Sequence, residues 1–179
     1  MKKLNLLLAV LALGLGNLRA LAADAPAKSN QAPEATTYQI RNVKHQDLLR
    51  PRDANNANGT PIVLYSAQPW KCMTWRLQPA GDATFQLKNL FTAKTFCAAT
   101  NTTAVQQVPL AKERGVSPAW RFIKLADGTY EITDSKSGQA LTAVKEQGGY
   151  EVKIEVAPWQ NSDEQKWQLE KMDPQQLTM

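Results

Sequence analysis

Two stretches of the chain carry side chains suited to holding a polar ligand, and they lie far apart. The first is LLRPRDANNANG, which supplies Arg50, Arg52 and Asp53, with Tyr65 and Trp70 following closely. A guanidinium is a planar, permanently charged fork that grips carboxylates and other anions through paired hydrogen bonds. The second set is Thr142, Trp159, Asn161 and Gln165. It combines a hydroxyl, two amides and an indole, a neutral group rich in donors and acceptors. Neither set is equipped for catalysis. His45, the sole histidine, falls in the polar turn VKHQD. The chain lacks G-x-S-x-G, H-E-x-x-H and any glycine-rich phosphate loop. Asp82 and Asp127 occupy turn positions, where aspartate is favoured for its bonds to the local backbone. The expectation is reversible binding, with no enzymatic activity, no metal and no cofactor.

The N-terminus sets the compartment. Lys2 and Lys3 precede an apolar run from Leu4 to Leu15, and Ala20-Leu21-Ala22 supplies a small-residue cleavage site. This pattern predicts a secretory signal peptide over 1–22, its apolar run too short for stable membrane insertion. Residues 23–36, rich in Ala, Pro and polar side chains, read as a flexible linker. The formal charge of the full chain is +5, but Lys2, Lys3 and Arg19 leave with the signal, so the mature charge is +2. No basic stripe remains of the kind nucleic-acid binding requires. Cys72 and Cys97 are the only cysteines, too few and too far apart for a metal site. Export makes one Cys72–Cys97 disulfide the economical reading, with two free buried thiols the alternative.

The candidate residues must be held by elements, and those elements repeat. Tyr38 and Trp75 are 37 residues apart, Phe85 and Trp120 are 35 apart, and Tyr130 and Trp167 are 37 apart. The segments YQIRN, FQLKN and YEITD open the three units, and WRLQP, WRFIK and WQLEK close them. Eleven residues after each opening aromatic stands a large apolar residue: Leu49, Phe96 and Leu141. Runs of about five residues with period two, broken by Gly, Pro, Asn and Asp, predict short strands. The chain therefore reads as all-β, with three repeats over about 38–80, 84–125 and 128–171 of a folded region 37–171. Each unit has room for four strands, about twelve in all, followed by a tail over 172–179. One such unit cannot bury its apolar face alone, whereas three meeting around an axis can.

Units of this length, with SGQAL near the front and DEQKWQL at the close, resemble the ricin B-type (QxW) β-trefoil lectin domain. The third repeat matches best, through Asp127 to Tyr130, Ser137-Gly138, Leu141 and Gln165-Lys166-Trp167. The first closes on Met73-Thr74-Trp75 without the glutamine, and the second, closing on Pro118-Ala119-Trp120, is more diverged. The resemblance implies a β-trefoil with a shallow sugar pocket in each lobe. In that family a carboxylate just after the apolar residue of the second strand grips two hydroxyls. An aromatic ring stacks on the sugar, and an Asn or Gln near the closing strand assists. Here the carboxylate position holds Arg50, Cys97 and Thr142, none acidic.

The resemblance implies two surviving sites. The better is neutral, built from Thr142, Trp159, Asn161 and Gln165, although Gln165 in the family often serves the fold instead. The other, with Arg50, Arg52, Asp53 and Trp70, would favour an acidic sugar or another anion. The second repeat, with Cys97 in the pocket position, is expected to bind no sugar. The functional expectation is a secreted or periplasmic lectin module whose partner is a glycan or glycoconjugate. The alternative is a trefoil that has lost sugar binding and acts as a protein-interaction subunit of a secreted toxin, adhesin or inhibitor complex, with Trp70 and Trp159 on the contact surface.

Overall fold

The computed structural model describes residues 32–111 and 118–178. The expected signal peptide and most of the expected linker lie outside the described residues. Among the described residues there are twelve strands, four in each repeat. They are β1 (Thr37–Asn42), β2 (Leu48–Pro51), β3 (Ile62–Tyr65) and β4 (Thr74–Gly81) in the first lobe. The second has β5 (Thr84–Asn89), β6 (Thr95–Ala98), β7 (Val105–Val108) and β8 (Trp120–Lys124). The third has β9 (Tyr130–Asp134), β10 (Ala140–Lys145), β11 (Val152–Ala157) and β12 (Lys166–Lys171). First and fourth strands of every lobe pair in the ring β1-β4-β5-β8-β9-β12, which closes back on β1. The second and third strands form the hairpins β2–β3, β6–β7 and β10–β11. The hairpins also touch one another, through Lys153 and Val63, Pro61 and Gln106, and Ala104 and Glu155. A six-stranded barrel with three hairpins is a β-trefoil, and closure leaves the barrel without an open edge.

The spacing of aromatics and tryptophans has a direct structural cause. Tyr38 lies opposite Trp75, Phe85 opposite Trp120 and Tyr130 opposite Trp167. All three indoles are wholly buried. A buried indole N–H needs an acceptor, because leaving it unpaired costs roughly 1–3 kcal/mol. Trp75 donates to the carbonyl of Leu49 at 3.0 Å, Trp120 to that of Phe96 at 3.2 Å, and Trp167 to that of Leu141 at 3.0 Å. Each tryptophan thus pins its barrel strand to the hairpin of its own lobe, at the apolar residue eleven positions after the opening aromatic. Phe96 sits between Trp75 and Trp120, its ring centre 5.0 Å from each. Tyr38 and Phe85 are buried as expected, whereas Tyr130 is only partly covered.

The expected disulfide is absent: Cys72 and Cys97 are both free. They face different neighbours. Cys72 is buried in a short 3-10 turn, packed with Leu48 and Met73. Cys97 lies on β6, where Asp134 and Lys136 of the third lobe influence its thiol. The tail is also more ordered than a tail implies. Thr178 bridges to Trp70, its amide donates to the Pro69 carbonyl at 2.9 Å, and Leu177 is buried.

Candidate functional site

Asn42 and Asn89 end the first strands of lobes one and two and are fully buried. The Oδ1 of Asn42 accepts from the amides of Lys44 and His45, while its Nδ2 donates to the Glu164 carbonyl at 2.9 Å. Asn89 repeats the pattern with the amides of Phe91 and Thr92 and the carbonyl of Cys72. Each asparagine therefore ties the first turn of its lobe to the closing loop of the preceding one. The first- and third-lobe depressions each take one wall from a neighbouring lobe, through Phe91 and through Lys44 and His45 respectively.

The first-lobe depression encloses about 600 Å³ and is lined by Arg50, Asp53, Tyr65, Trp70, Cys72 and Phe91, with Ala54 and Thr178 completing it. Arg50, the residue after Leu49 on β2, is only 8% exposed. Its guanidinium carbon lies 3.7 Å from the centre of the Tyr65 ring, a cation–π contact. Its Nη2 is 3.7 Å from Asp53 Oδ1, too long for a hydrogen bond, and its buried Nε has no partner. Tyr65 and Trp70 stack at 6.2 Å with planes 27° apart. Tyr65 and Phe91 are 42% and 44% exposed, so the depression offers exposed aromatic surface. Burial pushes the Cys72 thiol up, with the Arg50 charge and hydrogen bonds from the Cys72 backbone and the Arg50 side chain opposing only partly. Arg52 turns elsewhere: it forms a two-point ion pair with Glu151, Nε to Oε1 at 2.8 Å, and does not line the depression.

The third-lobe depression, also about 600 Å³, holds Thr142 and Gln165 together with Lys44, His45, Gln160, Ser162 and Glu164. Gln165 is buried and committed to the fold. Its Nε2 donates to Thr142 Oγ1 at 3.1 Å and to the Pro158 carbonyl at 2.9 Å, and its Oε1 accepts from the Gln160 amide at 2.7 Å. Trp159 and Asn161 are not among the lining residues; Trp159 is partly buried, and Asn161 is exposed with a φ of 57°. Sequence reasoning missed Glu164, which brings a carboxylate to this depression from the closing loop. Its own amide, and further Ser162 and the charges of Lys44 and His45, hold that carboxylate below its usual range. Its place directly before the Gln165-Lys166-Trp167 triplet was the available signal for it.

The fold is similar to that of ThreeFoil, a designed threefold symmetric protein, with a TM-score of 0.67 and 23% identity over 76% of this chain and 99% of that one. The agglutinin of Rhizoctonia solani aligns over 79% of this chain and 99% of its own at TM-score 0.67 and 20% identity. The C-terminal domain of an earthworm lectin, solved as a mutant in complex with 6'-sialyllactose, aligns over 76% and 99% at TM-score 0.61 and 15% identity. No family model and no curated protein matches the sequence.

Proposed function

We propose that this protein is a secreted or periplasmic lectin-like trefoil that binds glycans without catalysis. The observation that carries the reading is the first-lobe depression, where Tyr65 and Trp70 present aromatic faces beside polar groups at the family's sugar position. The C–H face of a pyranose packs on such rings, and the flanking Arg50 and Asp53 suit its hydroxyls. The agglutinin and the sialyllactose-bound earthworm lectin share the fold and support this use of it. The third-lobe depression is the secondary site, with Glu164 and Ser162 available and Gln165 already engaged. A single shallow site of this kind binds at roughly millimolar strength, about 4 kcal/mol. Useful avidity then comes from several copies or sites.

The test is a glycan array probed with residues 32–178 displayed multivalently, beside a Tyr65→Ala control. Reproducible binding to one sugar class, lost in the control, is expected. A blank array with folded protein would retire the reading and leave the exposed Tyr65, Phe91 and Tyr150 as starting points for a protein-partner search.

A further inference from the structure

We propose that the first-lobe depression selects a pyranose carrying a carboxylate, and that Arg50 is the specificity-determining residue. The inference rests on the glycan-binding reading above and names the class of sugar.

Three arginines of this chain make the argument by contrast. Arg41 and Arg52 each hold a carboxylate through two nitrogens, Glu170 and Glu151 respectively. Arg50 is more buried than either, yet its nearest carboxylate stands 3.7 Å away on Asp53, whose side chain is 82% exposed. Beyond a contact with the weakly accepting Cys72 sulfur, this buried cation has an unpaired Nε and, among the described residues, no carboxylate within hydrogen-bond distance, which is costly in a folded protein. Such a group persists where a ligand completes it. The Tyr65 ring centre lies 3.7 Å from the guanidinium carbon, a cation–π contact that consumes none of the guanidinium's hydrogen-bond donors. A carboxylate engages those donors with two charge-assisted bonds, where a neutral hydroxyl supplies one weaker acceptor.

The surroundings narrow the anion further. Tyr65, Trp70 and Phe91 form apolar walls that a small inorganic anion leaves unused. A carboxylated pyranose uses both features, its charge on Arg50 and its ring on the aromatics. Asp53 competes for the same guanidinium and yields to the ligand, since a loose ion pair with an exposed partner contributes little.

The experiment is a titration of residues 32–178 with methyl β-D-glucuronide, methyl β-D-glucoside and acetate, followed by amide and indole NMR shifts. The glucuronide is expected to perturb Tyr65, Trp70 and Phe91 and to bind at least about tenfold more tightly than the glucoside or acetate, weakening as salt rises. Arg50→Gln should abolish the preference. Because Arg50 is buried, Asp53→Asn supplies an independent variant: it removes the exposed competitor and should strengthen glucuronide binding severalfold. Equal affinity for glucuronide and glucoside, acetate binding as tightly as glucuronide, or shifts confined to Thr142 and Gln160 would each overturn the proposal. If a positive glycan array accompanies any of these, the lectin reading survives; if the array is blank as well, both fall.

Discussion

Asn89 serves the fold and the site with a single side chain. Its Oδ1 caps the turn that carries Phe91, and its Nδ2 holds the carbonyl of Cys72, so it sets the distance between two walls of the first-lobe depression. Asp cannot replace it, because a carboxylate has no proton to donate and would sit fully buried beside a carbonyl oxygen. Asn89→Asp should therefore destabilise the protein by about 3–5 kcal/mol at neutral pH, the cost of an uncompensated buried charge. Urea unfolding measures this, and the penalty should shrink as acid neutralises the new carboxylate. A loss under about 1 kcal/mol would mean that the turn is not held from this side chain. The third lobe supplies the natural contrast. Asp134 occupies the equivalent position half-exposed, and its oxygens accept from Lys136 and Ser137 without any donor being required.

The same turns show a second regularity among the elements. Gln46, Ala93 and Gly138 each follow the capping residue by four positions, and each amide donates to that residue's carbonyl. All three have positive φ: 60°, 56° and 69°. Only the third lobe has the glycine that accepts this conformation without strain. Ala93 is exposed, so Ala93→Gly should raise stability by roughly 0.5–1 kcal/mol, read as an upward shift in the unfolding midpoint. An unchanged or lowered midpoint would show that the added freedom of the unfolded chain outweighs the relieved strain.

These repeats explain why the architecture was legible in the sequence and the site was not. Strand alternation and the Tyr38–Trp75, Phe85–Trp120 and Tyr130–Trp167 spacings are local, and they report the pairings that fix the barrel. The pockets are assembled across lobes. Phe91 of the second lobe and Thr178 of the tail complete the first-lobe depression, and Lys44 and His45 of the first lobe wall that of the third. No spacing within one repeat announces such a neighbour. Arg52 misled for the same reason, since its partner Glu151 lies on the third-lobe hairpin. The cysteines match one another in neither depth nor direction, which their number alone does not reveal.

For the molecule as a whole, pseudo-threefold symmetry makes the location of the chain ends arbitrary. Strands β1 and β12 are antiparallel neighbours over Tyr38 to Asn42, as β4 and β5 are between the first two lobes. Thr37 and Met172 exchange two hydrogen bonds, at 2.6 and 2.9 Å, and Glu34 pairs with Lys171 at 2.7 Å. The break between β12 and β1 thus occupies the place that the Gly81-Asp82-Ala83 turn occupies between β4 and β5. That turn holds three successive positive φ values, 102°, 45° and 57°, two of them on residues with a Cβ. A circular permutant that joins Thr178 to Ala32 through a flexible linker of about ten residues, opened between Asp82 and Ala83, should fold to the same barrel. Opening there removes no buried side chain and releases the strained turn, while the short loop lost is replaced by a longer closure whose extra entropic cost grows only slowly with length. Its stability should lie within about 2 kcal/mol of the parent, with cooperative unfolding and unchanged protection of the Trp75, Trp120 and Trp167 indole protons from exchange. Opening instead inside β4, between Trp75 and Arg76, separates a pin from its strand and should abolish cooperative folding. If both permutants behaved alike, the tryptophan pins would not be what closes each lobe.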